Sequence, residues 1–394
     1  MQPSPSPPTP PSASRRVRNI SPSATKEMAI IAARIGGCVS LGQGVPAFAT
    51  PPPIIAAVTR ALREDAGSGQ YSLQTGMPAL RHCIARRFRE EKQVVVDPES
   101  EICVTVGGME ALLATVLTVV DEGDQVILPS PTYASYTEQV LLAGGTPVYV
   151  PLTDAWELDL ASISAAITPR TKALMICSPG NPTGTVFPDE QILALCELAV
   201  ANDFVIITDE AYDYMVYDGR MPVNPLSIDR FRNHVISISS LSKKYALTGW
   251  RVGWVIAAAG WMQQIMKVHD AATICSPTPS QIAALAALEG DQQCVQEMRA
   301  ALTRRRALCC RRLDQLSEHF SYVPPKGAFY VMARYRFTND ASQAVAIRLL
   351  KEAKVITIPG GAFGMGGEGH LRLSFGGEEQ TIDEAFDRIA RWLR

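Results

Sequence analysis

Short β-branched runs bounded by Gly, Pro and Asp alternate with longer helical patterns along most of this chain, and that alternation narrows its possible folds more than any other feature. When a helical stretch separates each strand from the next, the strands pair in parallel and the helices cover the sheet. The runs are Ile102 to Val106, Gln125 to Leu128, Pro147 to Val150, Ala173 to Cys177, Phe204 to Thr208, Val235 to Ser239 and Trp254 to Ala257. Helical patterns such as Glu110 to Val119 and Glu190 to Ala201 lie between them, the second opened by Pro188 and Asp189 as start signals. The expected class is α/β with a mostly parallel central sheet. From about Asp291 the pattern changes to a long helix carrying Arg304, Arg305, Arg306, Arg311 and Arg312, expected as a solvated face. Strands near Ala328 to Met332, Val355 to Ile358 and Leu371 to Phe375 and a final helix then suggest a smaller α+β domain.

Composition excludes several classes. With 37 basic against 39 acidic residues, the charge does not favour nucleic acid as a partner. The apolar run Ala111 to Val120 is far shorter than the roughly 20 residues of a membrane span. Nine cysteines without C-x-x-C spacing, no cluster of metal ligands and no apolar signal segment point to a reducing cytoplasm with no metal site or disulfide framework, and Pro182 disqualifies Asn181-Pro-Thr as a glycosylation acceptor. Arg15, Arg16 and Arg18 precede the first acidic residue, Glu27, as in a transit peptide, but six prolines before Ser12 spoil the amphipathic helix that such a peptide needs.

Three segments carry recognisable chemistry. Ser240 to Gly253 follows a strand and holds Ser240, Ser242, Lys243, Lys244 and Arg251: an amine able to form a Schiff base, with hydroxyl and guanidinium donors suited to phosphate. Val104 to Leu112 reads as strand, glycine turn and helix, which aims the amides of Gly108 and Met109 at an anion. Asp209 stands at a strand's carboxyl end, where open α/β sheets gather ligands.

The Ser240 to Gly253 segment resembles the lysine signature of class I/II aminotransferases, enzymes of the pyridoxal 5′-phosphate (PLP)-dependent fold type I in the aspartate aminotransferase superfamily. The family's arginine follows its lysine by eight residues, as Arg251 follows Lys243, so the resemblance makes Lys243 the cofactor anchor over its rival Lys244. Ser178 to Gly184 resembles the N-P-x-G loop, and the family's 28-residue step from Asn to Asp is kept between Asn181 and Asp209. The resemblance implies that Asp209 faces the pyridine nitrogen, that Asn181 and Tyr212 share the ring oxygen, and that Tyr133 stacks on the ring. Gly108, Met109, Ser240, Ser242 and Arg251 then form the phosphate cup, joined by Tyr71 of a neighbouring subunit in a homodimer. Pro359 to Gly364 and His370 to Ser374 resemble the family's P-G-x-x-F-G and L-R-[LI]-S segments, with Arg372 on the substrate carboxylate. The Gly-rich run Gly360 to Gly369 is expected as a mobile loop at the site mouth. Leu41 to Phe48 resembles G-x-P-D-F with Ala47 in place of the usual Asp, and places Gly44, with Asn181 and Arg372, near the substrate.

Residues 1–19 are thus expected as a disordered Pro/Ser-rich arm, 20–50 as the N-terminal segment of the small domain, 51–290 as the large PLP-binding domain and 291–394 as the C-terminal small domain. The expected function is ping-pong transfer of an amino group from an L-amino acid to a 2-oxo acid. Met109 stands where aspartate-preferring members can carry a lysine, and its apolar thioether favours a neutral or aromatic donor. An aspartate-specific aminotransferase, or a PLP lyase built on the same cup, remains an alternative. No G-x-G-x-x-G in a strand-to-helix turn, G-x-S-x-G or H-E-x-x-H supports a dehydrogenase, hydrolase or metalloenzyme.

Overall fold

The computed structural model describes residues 12–20, 24–219 and 222–394. Its main sheet has seven strands: β1 (Ile102–Thr105), β2 (Gln125–Ser130), β3 (Thr146–Pro151), β4 (Thr171–Cys177), β5 (Val205–Asp209), β6 (Val235–Ser240) and β7 (Gly253–Ile256). They lie side by side in the order β1-β7-β6-β5-β4-β2-β3. Six run parallel, and β7 alone is reversed, pairing antiparallel with both β1 and β6. Central strands are buried along almost their whole length because helices cover both faces. Every residue of the central β5 and of β1, at one sheet edge, is buried, whereas β3, at the other edge, buries only Val150 fully.

The seven expected strands of the main sheet are present with ends shifted by one or two residues, while later in the chain Ala328 to Met332 is observed as Tyr330–Tyr335 and Val355 to Ile358 splits into Val355–Ile356 and Ile358–Pro359, which join different sheets. The helix Asp189–Asn202 begins with two acidic residues in its first turn and stops where Asp203 turns left-handed (φ 52°). Beyond the helix Gln293–Asp314, a four-stranded antiparallel sheet forms from Phe320–Tyr322, Tyr330–Tyr335, Ile358–Pro359 and His370–Ser374. Val39–Ser40 pairs in parallel with Val355–Ile356, so the early chain joins the late chain. From there the segment continues along the antiparallel sheet, where the Ser374 amide donates to the Leu41 carbonyl at 2.6 Å and the Ala47 amide to the Gly376 carbonyl at 2.8 Å.

Three expectations need correction. Residues 1–11 of the expected disordered arm lie outside the described residues, but Arg15–Arg18 form a helical turn capped by Ser14, and Arg15 pairs with Glu122. The arginine run is not one solvated face. Successive residues of a helix are about 100° apart, so Arg304, Arg305 and Arg306 point in different directions. Arg304 and Arg311 stay exposed, while Arg305 is buried and donates to the Gly376 carbonyl (3.0 Å) and Glu378 (2.8 Å). The Gly360 to Gly369 run folds into two 3₁₀ turns, Gly360–Phe363 and Met365–Gly367, that pack on each other so closely that a Cβ on Gly360 would lie 2.0 Å from the Gly367 carbonyl oxygen.

Candidate active site

Parallel strands deliver their carboxyl ends to one edge of the sheet, and the reversed β7 delivers its amino end to the same edge. Gly253, the first residue of β7, pairs with Thr105 at the end of β1 and with Ser240 at the end of β6. Three chain segments therefore meet there: Gly107 and Gly108 after β1, Ser240 and Ser242 after β6, and Arg251 before β7. Glycine is required at this junction. A Cβ on Gly107 (φ 75°) would lie 2.7 Å from the Arg251 guanidinium, and one on Gly253 would lie 2.9 Å from the Gly108 nitrogen. The helix Gly107–Val119 starts here without a side-chain cap, its free amides beside the guanidinium, while the Ser240 hydroxyl donates to that of Ser242 at 3.0 Å. Positive charge, helix dipole and hydroxyls together form an anion cup.

The neighbouring strand ends supply the rest. Asp209 ends β5 and is only 8% exposed. It accepts from the Tyr136 hydroxyl at 2.8 Å and the Ala211 amide at 3.0 Å, and burial raises its pKa. Lys243 follows β6, and its Nζ donates to the Gly44 carbonyl at 2.6 Å. Burial, reinforced by Arg251 and Arg372, lowers the Lys243 pKa to about 8, with Asp209 pulling the other way. Lys244 turns away, pairing with Glu91 at 3.1 Å and lining a separate cavity of about 410 Å³ with Lys92 and Asp213. The two adjacent lysines are thus separated by geometry.

Asn181, after β4, accepts from Arg372 Nη1 at 3.1 Å, and Arg372 Nη2 donates to the Gly42 carbonyl at 2.6 Å. Arg372 is buried between the rings of Tyr330 (4.6 Å) and Phe363 (5.0 Å), and its Nε has no partner. The segment from Gly42 to Gly44 therefore spans the gap between Arg372 and Lys243. Tyr133, after β2, packs edge-on against Tyr136 with ring centroids 5.5 Å apart, and its hydroxyl points to the Met109 sulfur at 3.6 Å. Met109 is 38% exposed, so it does not pack in the core. The Tyr212 hydroxyl lies 2.9 Å from that of Tyr330. Tyr71 stands apart from this constellation, 78% exposed on the surface.

Two participants escaped the sequence reading. Tyr136 holds Asp209 from the first turn of the helix Ala134–Ala143, three residues after the N-cap Tyr133, and in sequence it reads as one more core aromatic. Tyr330 touches both Tyr212 and Arg372, yet in sequence it reads as one more strand aromatic.

The depressed Lys243 pKa has a direct consequence. In ligand-free protein, acylation of Lys243 by an amine-selective reagent, mapped by mass spectrometry, should rise with pH through a midpoint near 8. An ordinary lysine would give about 10.4. Arg251→Ala, which removes a repelling cation, should raise the midpoint. Asp209→Asn, which removes an attracting carboxylate, should lower it. An unshifted midpoint in the parent protein would contradict the electrostatic picture.

Comparison with known proteins agrees with this architecture. The model of the family "Aminotransferase class I and II" matches residues 36–389. Aromatic-amino-acid aminotransferase 2 of Thermococcus litoralis is 35% identical over 385 residues, covering 97% of this chain and 98% of its own. An aspartate aminotransferase of Pyrococcus abyssi is 36% identical over 385 residues, with the same coverage. Among solved structures, a Thermus thermophilus aspartate aminotransferase tetra mutant complexed with tryptophan superposes with a TM-score of 0.91 at 36% identity, covering 97% of this chain and 99% of that one. Whole-chain similarity in both sequence and fold thus accompanies the strand-edge constellation, and the chain belongs to the class I and II aminotransferases.

Proposed function

We propose that this aminotransferase uses pyridoxal 5′-phosphate to move the amino group of a neutral or aromatic L-amino acid to a 2-oxo acid in two half reactions. The observation that carries this reading is the convergence of Lys243, Asp209, Asn181 and the anion cup on a single sheet edge. When bound, the cofactor supplies the carbonyl that takes up the amino group and an aromatic ring that accepts the electrons of the Cα–H bond. The residues suit such a group. The glycines at the cup leave room that a Cβ would close, and Asp209 is a buried carboxylate with no ion pair among the described residues.

Each side chain then has a task. The amides of Gly108 and Met109 with Ser240, Ser242 and Arg251 would hold the phosphate. Asp209 would keep the ring nitrogen protonated, since an opposite charge favours the charged form. Tyr136 orients that carboxylate. Asn181 and Tyr212 would hold the ring oxygen, and Tyr133 would cover the ring face. Lys243 would be the anchoring amine, and its free Nζ would take the proton from the substrate Cα. A pKa of about 8 leaves a useful fraction of that nitrogen neutral near pH 7. Arg372 would grip the substrate carboxylate, with its unpartnered Nε available as a further donor.

Donor preference rests on Met109. Its thioether and the Tyr133 ring make a soft, uncharged wall where an ammonium would have paired with a second carboxylate. Single-turnover spectra with a panel of amino acids should show neutral and aromatic donors reacting faster than aspartate, and steady-state double-reciprocal plots should give parallel lines. Aspartate faster by about tenfold, a preference of about 1.4 kcal/mol, would overturn the donor assignment. Stoichiometric release of ammonia and pyruvate from a β-substituted amino acid, without amino transfer, would overturn the transferase mechanism.

Tyr71 supports a homodimer. Its ring is exposed on the single chain, where a second copy related by a twofold axis would receive it at its own phosphate cup. Light scattering of an active preparation should give twice the 42.7 kDa chain mass. Activity at the monomer mass would contradict this assembly.

A further inference from the structure

Tyr330 is the first residue of its strand and is completely buried, yet its hydroxyl faces the site rather than the core. Its position is fixed on several sides. The ring lies across the Arg372 guanidinium at 4.6 Å and meets the Tyr212 ring edge-on at 5.6 Å. Gly44 packs so close to the hydroxyl that a Cβ there would lie 3.1 Å away, and the Tyr330 carbonyl oxygen lies 2.5 Å from where a Cβ on Gly184 would be. Gly44 also accepts from Lys243, and Gly184 closes the loop that carries Asn181. One tyrosine thus touches the side chains assigned to the cofactor oxygen and to the substrate carboxylate.

We propose that Tyr330 is a positioning residue that sets the strength of the hydrogen bond Tyr212 gives to the cofactor's ring oxygen. The proposal rests on the assignment of Tyr212 to that oxygen, made above. Burial pushes both phenols well above their ordinary pKa, so each keeps its single proton. In the 2.9 Å pair one hydroxyl donates to the other. If Tyr212 directs its proton to the ring oxygen, the pair persists only with Tyr330 donating to Tyr212. A hydroxyl that accepts a hydrogen bond becomes a stronger donor, by about 10–30% per bond in a buried chain. Tyr330 thereby helps neutralise the ring oxygen without touching it. Weakening this chain leaves the oxygen more negative, so the proton on the lysine nitrogen beside it is held more tightly.

The test is a pH titration of the visible absorbance of the cofactor-loaded protein, for the parent, Tyr330→Phe, Tyr212→Phe and the double variant. Tyr330→Phe should raise the midpoint by a few tenths of a unit. Tyr212→Phe should raise it further, and the double variant should match Tyr212→Phe alone. In steady state, Tyr330→Phe should lower kcat and leave the amino acid KM near its parent value, because the ring still covers Arg372. Tyr330→Leu, which removes the ring, should also raise KM. A Tyr212→Phe shift with none for Tyr330→Phe would overturn the inference. So would an equal Tyr330→Phe increment in the Tyr212→Phe background, since Tyr330 would then act independently of Tyr212. If Tyr212→Phe itself left the midpoint unchanged, the assignment of Tyr212 would fail, and the inference with it.

Discussion

One reversed strand organises this molecule. In a wholly parallel sheet an arginine preceding β7 would enter at the edge opposite the other strand ends. Because β7 runs against β1 and β6, Arg251 arrives where Gly107, Gly108, Ser240 and Ser242 leave theirs. The approach is tight enough to demand glycine at 107 and 253, and it places Arg251 itself in left-handed backbone geometry at φ 55°. That geometry brings a guanidinium, a helix amino end and two hydroxyls together without a side-chain cap on the helix. The order of the remaining strands places Lys243, Asp209, Asn181 and Tyr133 in sequence away from the cup.

Charge balance follows from the same convergence. Arg251, Arg372 and Lys243 face one carboxylate, Asp209, inside a site largely shielded from water. Such an excess of positive charge disfavours the ammonium form of the lysine, which is what an amine that must act as nucleophile and base requires. It also suits ligands that bring negative charge at two places, a phosphate at one end and a carboxylate at the other. Arg372 is desolvated between two aromatic rings and satisfied on two of its nitrogens by Asn181 and Gly42, so its orientation is set before any carboxylate arrives.

Much of this was legible in the sequence, for a physical reason. Strand ends are marked by changes of pattern, and residues there, such as Asp209, Asn181 and Lys243, carry chemistry unlike that of a core. The resemblance to the family's lysine-to-arginine step favoured Lys243 over Lys244 before geometry separated them. Buried aromatics were not legible. Tyr136 and Tyr330 look like core residues, and their hydroxyls gain meaning only through partners 73 and 118 residues away. The arginines of the long helix misled for a similar reason, since whether Arg305 is solvated depends on Gly376 and Glu378, far along the chain.

The central claim is that Lys243, and not its neighbour, is the amine of the site. Borohydride reduction of the yellow protein fixes the cofactor to whichever lysine it is bonded to, and peptide mapping then reports that residue. The account predicts the label on Lys243, with Lys244 unmodified in its pair with Glu91. Label on Lys244 would contradict the register of the whole site.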